Sequence, residues 1–171
     1  GITRAAKLRV TVALKGTAIA NSWDIWVYPA EVDTQVPEDI IVRASLDDQA
    51  IAALDDGKKV LLLPARRHLH LQNALPGRFL PVFWSPIWFS SEHVTMSILC
   101  DPQHPALAHF PTESHTNWQW WDLLQNSSSV VLDDLPPEYR PIVQVGDNFS
   151  RNHRLGNLCE ARVGNGRLLL C

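Results

Sequence analysis

The sequence predicts an α/β domain over residues 31–171, with a mainly parallel sheet and flanking helices. Over residues 1–30 it predicts two antiparallel strands left from a β-sandwich. Three observations carry this reading. Residues 7–14 alternate, with Leu8, Val10, Val12 and Leu14 on one face and Lys7, Arg9, Thr11 and Ala13 on the other, the period of a half-buried strand. A short apolar run at 40–44 is followed by a helical stripe and then by the continuous run Val60, Leu61, Leu62 and Leu63. Strand, helix and a strand apolar on both faces is the pattern of a right-handed βαβ unit in a buried parallel sheet.

Along the chain, a turn-rich break at residues 16–22 leads to a second strand at 23–28, stopped by Pro29. Two strands cannot stand alone, so the rest of the sandwich is expected upstream. The crossing helix is placed at 46–56, with Ser45 as N-cap, Asp47 and Asp48 in the first turn and Gly57 as the glycine that ends it. Further strands of the same sheet are expected at 95–99, 130–132, 141–145 and 167–170, and helices at 104–109 and 116–125. The segment 79–89 holds two Pro among its aromatics and reads as a packed loop over the sheet's carboxyl edge. Gly164, Asn165 and Gly166 between strand-type residues give a hairpin turn rather than a phosphate loop.

Composition narrows the function classes. An apolar fraction of 46% with 19% charged residues supports a packed core in a chain of 171 residues. The net charge of −3 and the scattered arginines and lysines argue against nucleic acid as a partner. No apolar run reaches the ~18–20 residues of a membrane helix. Cys100, Cys159 and Cys171 fit neither a disulfide framework nor a CxxC metal site and are expected as buried free thiols, with one disulfide as the alternative in an exported parent.

The densest chemistry lies at 101–124, where three Trp (Trp118, Trp120, Trp121) and three His (His104, His109, His115) fall within two dozen residues. A Trp either buries its ring with its N–H partnered or lies exposed as a platform, on which a sugar can stack while amides and imidazoles take its hydroxyls. On a helix, Trp118 and Trp121 share a face that Leu124 continues. That face is expected to be buried, with Trp120, His115 and Gln119 outward. Trp120, His115, Gln119, Trp84, Trp88 and His104 are therefore the candidates for carbohydrate or domain contact. A metal site assembled from His68, His70, Asp101, His104, His109 and His115 lacks the spacing of known ligand motifs, so no metal and no cofactor is expected.

Several strings carry a family resemblance: residues 21–29 (NSWDIWVYP), 60–64 (VLLLP), 81–85 (PVFWS), 100–112 (CDPQHPALAHFPT), 143–149 (VQVGDNF), Leu155 with Gly156, and 160–170 (EARVGNGRLLL). Together they resemble the carboxyl-terminal region of bacterial glycoside hydrolase family 2 proteins, the large β-galactosidase-like enzymes with a sugar-binding domain. The resemblance spans nearly the whole chain. It implies a retaining parent enzyme whose two catalytic glutamates sit on a (β/α)8 barrel, ~5–5.5 Å apart. None of the six glutamates here follows Asn, as that family's acid/base does, and the eight-fold βα pattern is missing.

The chain is thus expected to be a non-catalytic carboxyl-terminal accessory module. Its expected partners are an upstream barrel and β-sandwich, β-galactoside-type carbohydrate or a second copy of itself, in a parent that is periplasmic or secreted. A looser likeness to flavodoxin and glutamine-amidotransferase-like domains raises an alternative, an independent hydrolase using Cys100. Against it, Cys100 is followed by Asp101 and Pro102, with none of the glycines of a nucleophile elbow.

Overall fold

The computed structural model describes residues 1–64, 73–78 and 95–171; the expected loop at 79–89 lies outside them. The chain opens with strands β1 (Ala6–Ala13) and β2 (Ala20–Val27), paired antiparallel as a two-stranded ribbon. Their register places Leu8 opposite Ile25 and Val10 opposite Trp23 on one face. Lys7 opposite Trp26 and Arg9 opposite Asp24 lie on the other. The apolar face is bare: Leu8, Val10, Val12, Trp23 and Ile25 are between 39% and 60% exposed.

Next come β3 (Ile40–Arg43), helix α1 (Asp48–Asp55) and β4 (Lys59–Leu62), with β3 and β4 parallel and adjacent as the apolar runs predict. The helix starts two residues later than expected. Asp47, not Ser45, is the N-cap, and its carboxylate accepts the Ala50 N–H at 2.9 Å. It ends in a Schellman turn, in which the Gly57 N–H donates to the Leu54 carbonyl and the Lys58 N–H to that of Ala53. Gly57 sits at φ +81°, a conformation in which a side chain would be strained. Ala50, Ala53 and Leu54 pack on Val60, forming one small core.

The remaining strands correct the predicted fold class. They are β5 (Ala74–Pro76), β6 (Ser97–Cys100), β7 (Ser128–Val131), β8 (Val143–Gly146), β9 (Arg154–Val163) and β10 (Gly166–Leu170). Strands make up 37% of the described residues and helices 12%, so this is a mixed, strand-dominated sheet, not a helix-flanked parallel flavodoxin-like one. Among the described residues only β3–β4 and β4–β10 pair in parallel; β5–β7, β6–β8, β7–β9, β8–β9 and β9–β10 are antiparallel. A parallel pair needs a crossover of a dozen residues or more, and α1 provides one between β3 and β4. In β8, Val143 and Val145 are buried while Gln144 is exposed, the in-and-out alternation of an antiparallel strand with one wet face.

The second core lies where α2 (Trp120–Gln125) covers the antiparallel part, with Ile98, Leu124, Val143, Val145 and Leu155 at its centre. The helices expected at 104–109 and 116–125 are shorter in the structure, a 3-10 turn at Pro105–Leu107 and the six residues of α2.

The turn between β9 and β10 holds the expected Gly164, Asn165 and Gly166, and it is pressed against α1. Asn165 Nδ2 donates to the Asp55 carbonyl at 2.9 Å. A Cβ on Gly166 would stand 2.4 Å from the Lys58 carbonyl oxygen and 2.8 Å from Leu54 Cα, both backbone atoms that cannot swing away. Gly166→Ala is therefore expected to cost about 1–3 kcal/mol by forcing α1 and the hairpin apart, measured by urea unfolding. A neutral result would mean that the turn is not seated against the helix.

Candidate functional site

The aromatic block lies beside the edge of β6. The Cys100 N–H donates to the Ser114 carbonyl at 3.0 Å, and Thr116 Oγ1 accepts the Ile98 N–H at 2.7 Å. From there the chain turns into α2. Six helical residues can bury one stripe, and Trp120 with Leu124, one turn on, takes it. Trp120 is 6% exposed, Trp121 39% and Trp118 74%, so the facing predicted from sequence is inverted. Trp118 and Trp121 do share a face, with ring centroids 6.1 Å apart, but that face is the outer one. Trp118 precedes the helix, where the phase extrapolated from sequence no longer applies.

Trp120 satisfies both demands of its ring. Its Nε1–H donates to Thr112 Oγ1 at 2.8 Å, and its ring meets Phe110 edge-on at 4.9 Å. Phe110 in turn stacks on Tyr28 from the end of β2, centroids 6.1 Å apart. The Tyr28 hydroxyl donates to Gln119 Oε1 at 2.5 Å, while Gln119 Nε2 donates to the Pro111 carbonyl at 3.0 Å. Gln119 thus contacts the first hairpin.

A second bond line runs beside it. Lys7 Nζ donates to Glu113 Oε1 at 2.5 Å and lies 2.9 Å from Asp24 Oδ2. Its ammonium also sits 5.7 Å from the Trp26 ring centroid. Asn117 Nδ2 donates to the other Glu113 oxygen at 2.9 Å. The bonds from Lys7 and Asn117 hold the Glu113 carboxyl below its ordinary range, and the bonds to Glu113 and Asp24 push the Lys7 ammonium above its own.

Of the other candidates, His115 is exposed and bridges to Leu99 through the backbone. His104 caps the 3-10 turn, its Nδ1 accepting the Ala106 N–H at 3.2 Å. Trp84 and Trp88 lie outside the described residues, as do His68 and His70. Among the described residues no group of three or more His, Cys, Asp or Glu side chains converges to hold a metal. Cys100 Sγ donates to the Glu113 carbonyl at 3.3 Å, and burial, with Asp101 beside it, pushes the thiol up and away from the thiolate a nucleophile needs.

Sequence reasoning missed Lys7, Tyr28, Phe110 and Glu113. Tyr28 and Gln119 are 91 positions apart and Lys7 and Glu113 are 106 apart, so no local pattern announces them.

The architecture is that of a mixed β domain with a two-stranded ribbon docked on its aromatic block. The chain belongs to the family described as a domain of unknown function, DUF8487, whose model matches residues 41–171. A second model, the domain of unknown function DUF8488, matches residues 1–29, the ribbon. No curated protein matches the chain.

Truncating Trp120 to Ala is expected to cost about 3–5 kcal/mol in urea unfolding, and Trp118→Ala to stay within about 0.5 kcal/mol. Equal costs would contradict a buried Trp120 beside an exposed Trp118. The Lys7–Glu113 contact also has a defined pH window. Glu113 has a depressed value, so its contribution is complete above the ordinary 4.5 and is lost as pH falls through that depressed value. Lys7 keeps its full share up to its ordinary 10.5 and loses it as pH rises through its raised value. Protection of the β1–β2 amides should hold from neutral pH down to about 4.5 and then weaken, and Glu113→Gln should flatten that acid step. An acid step of full size in Glu113→Gln would assign it elsewhere.

Proposed function

We propose that this chain is a non-catalytic carboxyl-terminal accessory module of a β-galactosidase-like glycoside hydrolase, and that it works by domain packing. The observation that carries the reading is the two-faced ribbon. Its polar face is bound to the aromatic block through Lys7 and Tyr28, while Leu8, Val10 and Trp23 leave the other face apolar and open. A two-stranded ribbon does not hold itself together in water, and an apolar sheet face of this kind is what a second sheet covers in a sandwich. The ribbon then joins an upstream β-sandwich to this domain, and the aromatic block is the joint. The resemblance to the carboxyl-terminal region of glycoside hydrolase family 2 supports the same placement.

On this reading the purified chain turns over neither aryl β-galactosides nor aryl β-glucuronides, because the parent's barrel supplies the catalytic pair. Hydrolysis abolished by substituting any one glutamate of this chain would overturn it. Cys100→Ser separates the reading from a cysteine hydrolase: it changes no activity here and abolishes activity there. Val10→Asp should leave the chain's own melting unchanged while it stops copurification with the parent's upstream domains. Unchanged copurification would remove the sandwich as the partner.

The Trp118–Trp121 pair favours accessory sugar contact as a second reading, since two exposed indoles side by side offer stacking surface. Titrating galactose and β-galactosides against Trp fluorescence tests it. Saturable quenching lost in Trp118→Ala supports it, and no quenching removes it.

A further inference from the structure

The paired registers of four strands align a row of residues across the sheet. Ile40 on β3 stands opposite Lys59 on β4, Lys59 opposite Arg167 on β10, and Arg167 opposite Arg162 on β9. Residues in register point to the same face, so three cations stand side by side on adjacent strands, an arrangement that costs stability unless something negative lies between them. Lys59 has Asp39 at 2.6 Å and Arg167 has Glu160 at 3.2 Å. The Arg162 side chain makes no hydrogen bond or ion pair among the described residues.

The row faces a cleft. A cavity of about 570 Å³ is bordered by Arg162, Arg167, Arg140, Glu160 and His104. It adjoins a second hollow of about 450 Å³ that shares Arg167, Glu160 and His104 and is floored by Leu61, Ile142 and Leu169. Arg140 is held in place, its Nη1 donating to the carbonyls of Pro137 and Tyr139, which leaves its other nitrogens for a ligand. His104 accepts the Ala106 N–H at Nδ1, which leaves Nε2 as the ring's donor. Three guanidinium groups against one carboxylate make the mouth positive, and the floor behind it is apolar. Their combined size is that of a small-molecule site.

We propose that this cleft binds a small oxyanion carried on an apolar body, a carboxylate or a phosphate monoester. Arg162, Arg167 and Arg140 take the anion in forked hydrogen bonds, and the body lies on Leu61, Ile142 and Leu169. The site is separate from the ribbon joint, and this inference does not depend on the packing reading.

The test is calorimetric titration of the full chain at low salt with benzoate, phenyl phosphate, inorganic phosphate and the neutral control benzamide. At least one aryl anion should bind saturably, about tenfold or more tighter than benzamide and tighter than inorganic phosphate. Whichever aryl anion binds better identifies the head group. Arg162→Gln should weaken that binding by about tenfold, and Arg162→Lys should recover only part of it, because an ammonium keeps the charge and loses the fork. The tighter aryl anion should raise the melting temperature of the wild type and leave that of Arg162→Gln nearly unmoved. Binding of neither aryl anion, equal binding of benzamide, or affinity unchanged in Arg162→Gln would each overturn the proposal.

Discussion

Burial of the Trp120 ring, with its N–H taken by Thr112, is the contact on which the arrangement depends. A large ring at the first position of a six-residue helix sets the phase of that helix. Leu124 follows Trp120 into the core, and Trp118 and Trp121 are turned outward together. The same ring fixes Phe110 edge-on, and Phe110 presents its face to Tyr28. Gln119, next to Trp120, then has its amide oxygen under the Tyr28 hydroxyl. One buried indole thus organises both the core of the antiparallel part and the seat of the first hairpin. An indole left without its hydrogen bond would forfeit part of that burial, so Thr112 belongs to the same unit.

Beneath it, β9 joins the two halves of the sheet. Its first half lies between β7 and β8, and its second half pairs with β10, which continues through β4 to β3. Antiparallel pairs need only short turns, whereas the βαβ unit needs α1. The βαβ unit and the hairpin turn meet at Gly166, where the missing side chain allows backbone to approach backbone. The helix of the unit and the strand at the centre of the sheet are therefore mechanically continuous.

Parts of this were legible in the sequence because they are local. The alternation at 7–14, the apolar runs around α1, Gly57 at the helix end and the Asn165–Gly166 turn each announce a conformation within a few residues. The direction of the other strands was not legible. Four-residue runs such as Ser128–Val131 carry no mark of parallel or antiparallel pairing, and the alternation of Val143, Gln144 and Val145 was the clue that counted against a buried parallel strand. Strand β9 escaped because Gly156, Asn157, Glu160 and Arg162 interrupt its apolar residues. The composition of the block marked it out as a candidate but did not give its orientation. With Trp at three of four successive positions, periodicity alone does not choose the buried ring, and that choice rests on contacts made across the fold.

The aromatic block seats the ribbon on the domain, and a double-mutant cycle on Tyr28→Phe and Gln119→Ala tests that seat most directly. The two positions are in direct contact at 2.5 Å. Their unfolding free energies should show a coupling of about 0.5–1.5 kcal/mol, the range of a hydrogen bond that survives in water-accessible surroundings. Additivity within about 0.3 kcal/mol would mean that the ribbon does not rest on the block, and the joint would have to be sought elsewhere.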